Sequence, residues 1–91
     1  MKTILVITHR PDLLNTVKVK MEKRAYRVEG LPNSREALPL VRDKKVDFVL
    51  FDVETALAEG VSALNSLRGL NPAVPVVVTS LVKPAEISPE S

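Results

Sequence analysis

With 91 residues, 45% hydrophobic and 26% charged, the chain has the composition of one small globular domain, near the size at which a single core suffices. It has no Cys, one His and 3% aromatics, which excludes disulfides, thiolate catalysis and sulfur-ligated zinc and leaves a core of Val, Leu, Ile and Ala. The net charge of +2 conceals an asymmetry, because residues 1–45 carry +6 and residues 46–91 carry −4.

The chain opens on an apolar run, Ile4–Ile7, flanked by Thr3 and Thr8, which predicts a strand buried on both faces of a parallel sheet. Thr8, His9 and Arg10 follow it, and Pro11 suits the first position of a helix, with Asp12 favourable beside the N-terminal dipole. Leu13, Leu14, Val17 and Met21 fall at helical spacing, so residues 11–24 read as an amphipathic helix. Its basic residues, Lys18, Lys20, Lys23 and Arg24, with Arg27 beyond, read as a solvated face; a surface for nucleic acid is the competing reading, but only Tyr26 accompanies them and no nucleic-acid motif is present.

Ala25–Glu29 predicts a short second strand, and Gly30 to Asn33 a loop. Ser34 suits the N-cap of a second helix running to about Lys44, although Pro39 inside it removes a backbone bond and should kink it. Val46–Asp52 is a third apolar strand. Gly60–Arg68 places Val61, Leu64 and Leu67 on one helical face and is stopped by Gly69 and Asn71-Pro72. Val74–Thr79 is the fourth strand, and residues 81–91, with Pro84 and Pro89, form an aperiodic, loosely ordered tail.

The order β-α-β-α-β-α-β predicts an α/β domain over residues 1–80 with a parallel sheet and right-handed crossovers. Reactive groups in such sheets collect at the carboxyl ends of the strands, here Thr8, His9 and Arg10, then Asp52, then Thr79 and Ser80. A carboxylate such as Asp52 at the end of a buried strand can serve as a metal ligand, a nucleophile toward phosphoryl groups or a helix-capping acceptor. No glycine-rich phosphate loop is present. No apolar run reaches the roughly 18 residues of a membrane span, and the run after Lys2 is too short for a signal peptide, so a soluble, cytoplasmic domain is expected.

Taken in order, these segments resemble the response-regulator receiver domain of two-component signalling. ILVITHRP is similar to that family's first strand and the loop behind it, AYRVEG to its second strand, SREALPLV to its second helix, and VDFVLFDVE to the third strand ending in the phosphoacceptor aspartate. Gly60 follows Asp52 at the family's spacing, and LNSLRGLNPAVPVVVTS resembles its third helix and fourth strand. The resemblance implies a three-layer, flavodoxin-like parallel sheet of order 2-1-3-4. It also implies a site in which Asp52 is the phosphoacceptor, Thr79 the switch hydroxyl and the main-chain carbonyl of Glu54 a metal ligand.

The departures are as informative. Thr8 and His9 stand where the family carries two acidic residues that help hold Mg²⁺, so the resemblance implies a crippled metal site at which no metal is expected, Asp52 and Glu54 being the carboxylates that could contribute to a weak one. Thr55 and Ala56 replace the usual Met-Pro, altering the loop beside the site. Lys83-Pro84 resembles the family's Lys-Pro pair, making Lys83 a candidate remnant, but it follows Thr79 by only four residues. The fifth strand and last helices are missing, which leaves the fourth strand as an exposed edge. The expected function is a degenerate receiver, not an enzyme, acting by protein–protein association without normal Mg²⁺-dependent phosphorylation. Its partner would be a histidine kinase or another signalling protein, or a second copy through the fourth strand. No cofactor is expected, with Mg²⁺ needed only if the site is still active, and neither membrane nor nucleic acid is an expected partner. The alternatives are a functional phospho-receiver using Asp52, and a small ligand- or nucleic-acid-binding module.

Overall fold

Four short apolar stretches form one parallel sheet, and its strand order decides which residues meet at its upper edge. The computed structural model describes residues 1–81. Its elements are β1 (Thr3–Ile7), α1 (Pro11–Glu22), β2 (Arg27–Leu31), α2 (Ser34–Arg42), β3 (Phe48–Asp52), α3 (Val53–Glu59), α4 (Val61–Leu70) and β4 (Val76–Thr79). The sheet order is β2-β1-β3-β4, all parallel, as the resemblance implied. Among the described residues there is no fifth strand; Lys83 and the rest of the tail lie outside them.

β1 is central, and Ile4, Leu5, Val6 and Ile7 are all fully buried, which is why its sequence shows no polar alternation. Successive side chains point to opposite faces. Ile4 and Val6 join Val28 beneath Val17, Leu14 and Met21 of α1, with Phe48 and Leu50 of β3 packed against the same cluster. Leu5 and Ile7 join Val49, Phe51 and Val76 on the other face, under Ala37 and Val41 of α2, Ala56 of α3 and Leu67 of α4. The basic side chains Lys18, Lys20, Lys23, Arg24 and Arg27 are all exposed.

Three expectations need correction. The second strand runs from Arg27 to Leu31 rather than from Ala25 to Glu29, because Ala25 turns at φ 67° and the Tyr26 N–H closes back on the Met21 carbonyl. Gly30 therefore belongs to the strand, where a Cβ would lie 2.4 Å from Leu14 Cδ2, so its lack of a side chain admits the close approach of α1. The N-cap of α2 is Asn33, whose Oδ1 accepts the Glu36 N–H at 3.0 Å, and Ser34 is already helical. Pro39 is accommodated because it and Arg35, whose carbonyl loses its partner, both face solvent. Finally, two helices rather than one connect β3 and β4. The segment VETALAE forms α3, and Gly60, at φ 95°, breaks it from α4.

Candidate functional site

Parallel pairing brings the strand ends together: Ile7 pairs with Phe51, and Asp52 with Thr79. The loop after β1 thus meets the start of α3 over Asp52. That carboxylate is 2% exposed, a position tolerable for an ionised group only when its oxygens find donors. Thr8 Oγ1 and Thr55 Oγ1 each donate to Asp52 Oδ2 at 3.1 Å.

The direction of those bonds follows from what stands behind them. The Arg10 N–H donates to Thr8 Oγ1 at 3.1 Å, and the His9 N–H donates to Thr55 Oγ1 at 3.2 Å. A backbone N–H can only donate, so each hydroxyl accepts from the loop and has its one proton free for the carboxylate. The loop backbone, the two hydroxyls and Asp52 form a closed network. Thr8 and Thr55 are themselves 5% and 0% exposed, so neither hydroxyl has ready access to water as an alternative partner. Asp52 occupies the N-cap position of α3, yet its side chain makes no capping bond to the backbone; its partner in that helix is the Thr55 hydroxyl.

Of the residues singled out in the sequence, Thr8 is in the network through its side chain and His9 through its backbone alone. The imidazole is exposed and borders a surface groove with Pro11, Leu31 and Pro32. Thr79 lies beside Asp52 in register, but its hydroxyl donates to the Ser80 carbonyl at 3.4 Å rather than to the carboxylate. Glu54 is exposed, with Oε1 3.9 Å from Arg10 Nη1. Arg10 Nη2 donates to Asp12 Oδ2 at 2.9 Å, and this bond raises the guanidinium's affinity for its proton, with smaller contributions from the fields of Glu54 and Asp52. Asp12 responds in the opposite sense, held below its ordinary value of 3.8 first by the hydrogen bond from Arg10. A guanidinium therefore lies within the field of the buried carboxylate. Among the described residues no three His, Asp or Glu side chains gather to hold a metal ion.

Thr55 and Arg10 are the two residues whose roles exceed their sequence reading. Thr55 was seen only as a replacement in a loop; its place at the third position of a short helix is what aims it back at Asp52. The same helix ends at Glu59, whose carboxylate accepts the Ser34 N–H and Oγ–H and so ties α3 to the N-terminus of α2. Among the described residues no helix is long and apolar enough to cross a membrane.

The family model described as response regulator receiver domain matches residues 4–88. The transcriptional regulatory protein ZraR of Escherichia coli O157:H7 is 35% identical over 88 residues, which is 97% of this chain and 20% of that protein. The chain thus spans about a fifth of the length of the ZraR proteins it matches. A response regulator from Burkholderia pseudomallei, solved with a phosphorylated aspartic acid, calcium ion and citrate, superposes with a TM-score of 0.72 at 28% identity, covering 91% of this chain and 49% of that one. A CheY-like receiver domain from Methanospirillum hungatei JF-1 shares the fold at a TM-score of 0.74 and 23% identity, covering 94% of this chain and 69% of that one.

Proposed function

The chain belongs to the response regulator receiver domain family, and from that premise we propose that it serves two-component signalling as a protein-interaction module without normal Mg²⁺-dependent phosphorylation of Asp52. The observation that carries this reading is the closure of Asp52 Oδ2 by the Thr8 and Thr55 hydroxyls.

The donor set is poor for the family's divalent cation. Mg²⁺ favours charged oxygen ligands in octahedral array, and here two neutral side chains, Thr8 and His9, stand at the positions of the acidic pair. The Thr8 oxygen is engaged with a backbone donor and with Asp52, and the His9 ring is directed to a surface groove. The Arg10 guanidinium adds a positive charge that disfavours a second cation nearby. What the chain's own residues do is hold a buried carboxylate with hydroxyl protons, which keeps the upper edge of the sheet ordered and available as a surface for a signalling partner such as a histidine kinase.

The test is a titration of the 91-residue chain with Mg²⁺ and beryllofluoride, followed by amide NMR. The shifts of Asp52, Thr79 and their neighbours are expected to stay fixed. Saturable movement there would overturn the proposal.

One observation favours a second reading, in which Asp52 is a working phosphoacceptor: both hydroxyls share Oδ2, leaving Oδ1 outside the clamp. In that case Oδ1 would form the O–P bond with a small acyl phosphate as the donor's carboxylate leaves. Gain of one phosphoryl group by intact mass, abolished in Asp52→Asn, is the result that would establish it.

A further inference from the structure

The fold gathers positive charge at the end of the sheet opposite Asp52. All four strands are parallel, so they begin at a common end, which also receives the C-terminal turns of α1 and α2. Lys2 precedes β1, Arg27 opens β2, and Lys44 and Lys45 precede β3, while Lys20, Lys23 and Arg24 descend from α1. Backbone bonds fix these segments to one another: the Arg27 N–H donates to the Lys2 carbonyl at 2.9 Å, and the Asp47 N–H to the Thr3 carbonyl at 2.8 Å. Two acids here are already engaged. Asp43 pairs with Arg42 at 3.1 Å, and Asp47 accepts the Thr3 N–H at 2.7 Å and lies 3.9 Å from Lys44. Lys2, Lys20, Lys23, Arg24, Arg27 and Lys45 are exposed and make no ion pair among the described residues, and the acids that face them unengaged are Glu22 and Glu29.

The helix ends account for part of this charge, since a cation such as Lys20 in the last turn of α1 is favoured by the carbonyl end of the dipole. Lys2 and Arg27 start strands and serve no helix end. Beside them Thr3, Arg27, Glu29, Leu40, Lys45 and Val46 line a groove of about 370 Å³. Its apolar part is recessed: Val46 is buried in the core cluster and Leu40 packs, partly buried, against it. A second hollow, lined by Lys20, Lys23 and Arg24, lies at the C-terminal turn of α1. We propose that this end of the sheet docks an acidic peptide segment of a partner protein, seating one aliphatic side chain against Leu40 and Val46 and spreading its carboxylates over Lys45, Arg27, Lys2 and the α1 turn.

Charge complementarity selects an anion, and the groove selects its kind. A nucleic-acid duplex would satisfy the cations with phosphates but has nothing to place against Leu40 and Val46. Unpaired bases need a ring to stack on, and Tyr26, between Arg24 and Arg27 in the chain, is half-buried and meets Phe48 edge-on at 6.3 Å between ring centroids. An anionic bilayer takes up apolar side chains that project, whereas these two are recessed. A peptide offers both carboxylates and an aliphatic side chain. Its reach is ample, because six extended residues span about 20 Å, against roughly 10 Å across the starts of β2, β1 and β3 at about 4.8 Å per strand. This surface is remote from Asp52 along the strands, so the inference does not depend on whether that residue is phosphorylated.

The test is an amide NMR titration of the intact 91-residue chain with the capped peptide Glu-Glu-Leu-Glu-Glu-Leu-Glu-Glu. Saturable shifts are expected at Lys2, Arg27, Lys45 and Val46, with Thr8, Asp52 and Thr55 unmoved. Replacing every Glu of the peptide by Gln should abolish binding, and replacing each Leu by Ser should weaken it roughly fivefold. The double variant Arg27→Gln, Lys45→Gln changes two exposed side chains and should bind about tenfold more weakly, with the remaining amide shifts of the free protein preserved. Absence of saturable shifts, equal binding of the Gln or Ser peptides, or unchanged affinity of the double variant would overturn the proposal. Tighter occupation of the same residues by a short DNA duplex or by phosphatidylserine vesicles would overturn it too, in favour of nucleic acid or a membrane.

Discussion

Replacing Thr55 by valine isolates the clamp on Asp52. The substitution keeps the shape of a fully buried side chain and removes only the hydroxyl, so no cavity opens. Two bonds go: the donation to Asp52 Oδ2 at 3.1 Å and the acceptance of the His9 N–H at 3.2 Å. A bond to an ionised group contributes about 1.5–3 kcal/mol, and a half-buried N–H left unpaired costs about 1 kcal/mol. The methyl that replaces the hydroxyl returns roughly 0.8 kcal/mol of apolar burial. The expected net loss is about 2 kcal/mol, a large share of the ~5–15 kcal/mol that holds a typical domain. In urea, with a slope near 1 kcal/mol per M for so small a protein, the midpoint should fall by about 2 M at constant slope. In an Asp52→Asn background the acceptor is neutral and its bond weaker, so the same substitution should cost roughly 1 kcal/mol less. A midpoint within about 0.5 M of wild type, or an equal loss in both backgrounds, would show that the Thr55 hydroxyl does not hold the Asp52 charge.

Other expectations test the surroundings of the clamp. In Arg10→Gln the Asp12 carboxyl, now held below 3.8 chiefly by its hydrogen bond from Arg10, should titrate higher by NMR. Because its folded value is the depressed one, the stabilisation it supplies is present above about pH 3.8 and is lost as pH falls through the folded value, so the variant should show a shallower acid limb. Glu59→Gln weakens the charged cap on Ser34 and should cost about 1 kcal/mol, with faster hydrogen exchange in the first turn of α2. Pro39→Ala restores a bond to the Arg35 carbonyl in an exposed helix and should raise stability by about 2 kcal/mol, read as a higher melting temperature; an unchanged or lower one would mean that the helix is adapted to its proline.

The sheet was legible in the sequence because its signal is composition: Ile4–Ile7, the apolar core of Val46–Asp52 and Val76–Val78 are continuous apolar runs, and a fully buried parallel strand needs no more. The order 2-1-3-4 came with the family resemblance and is the order observed. Boundaries were less legible where backbone geometry rather than apolarity decides them, as at Ala25, whose positive φ delays β2, and at Asn33, which took the cap expected of Ser34. α3 escaped because seven residues give too few turns for a periodic signal, although Val53, Ala56 and Leu57 do fall at helical spacing before Gly60. The site was legible as a set of strand ends, but the hydroxyl pairing was not, since Thr8 and Thr55 are 47 positions apart and meet only through Asp52.

The sequence departures at this site are consistent with one another in a way that no single one explains. A carboxylate at the position of Thr8 would stand within hydrogen-bonding range of Asp52, and two unit charges about 4 Å apart at an effective dielectric near 20 repel by roughly 4 kcal/mol unless a cation lies between them. A site built of clustered acids is therefore stabilised by the metal it binds, by an amount that grows with metal concentration. Thr8 and Thr55 meet the same buried charge with protons that are covalently part of the chain, and the Arg10 guanidinium adds a fixed positive field. Such a site has no repulsion for a cation to relieve, so restoring an acid at residue 8 alone should destabilise the domain rather than restore a metal site. The buried Asp52 carboxylate thus finds its donors within the chain, in the Thr8 and Thr55 hydroxyls, and that is the physical ground on which the proposed interaction role rests.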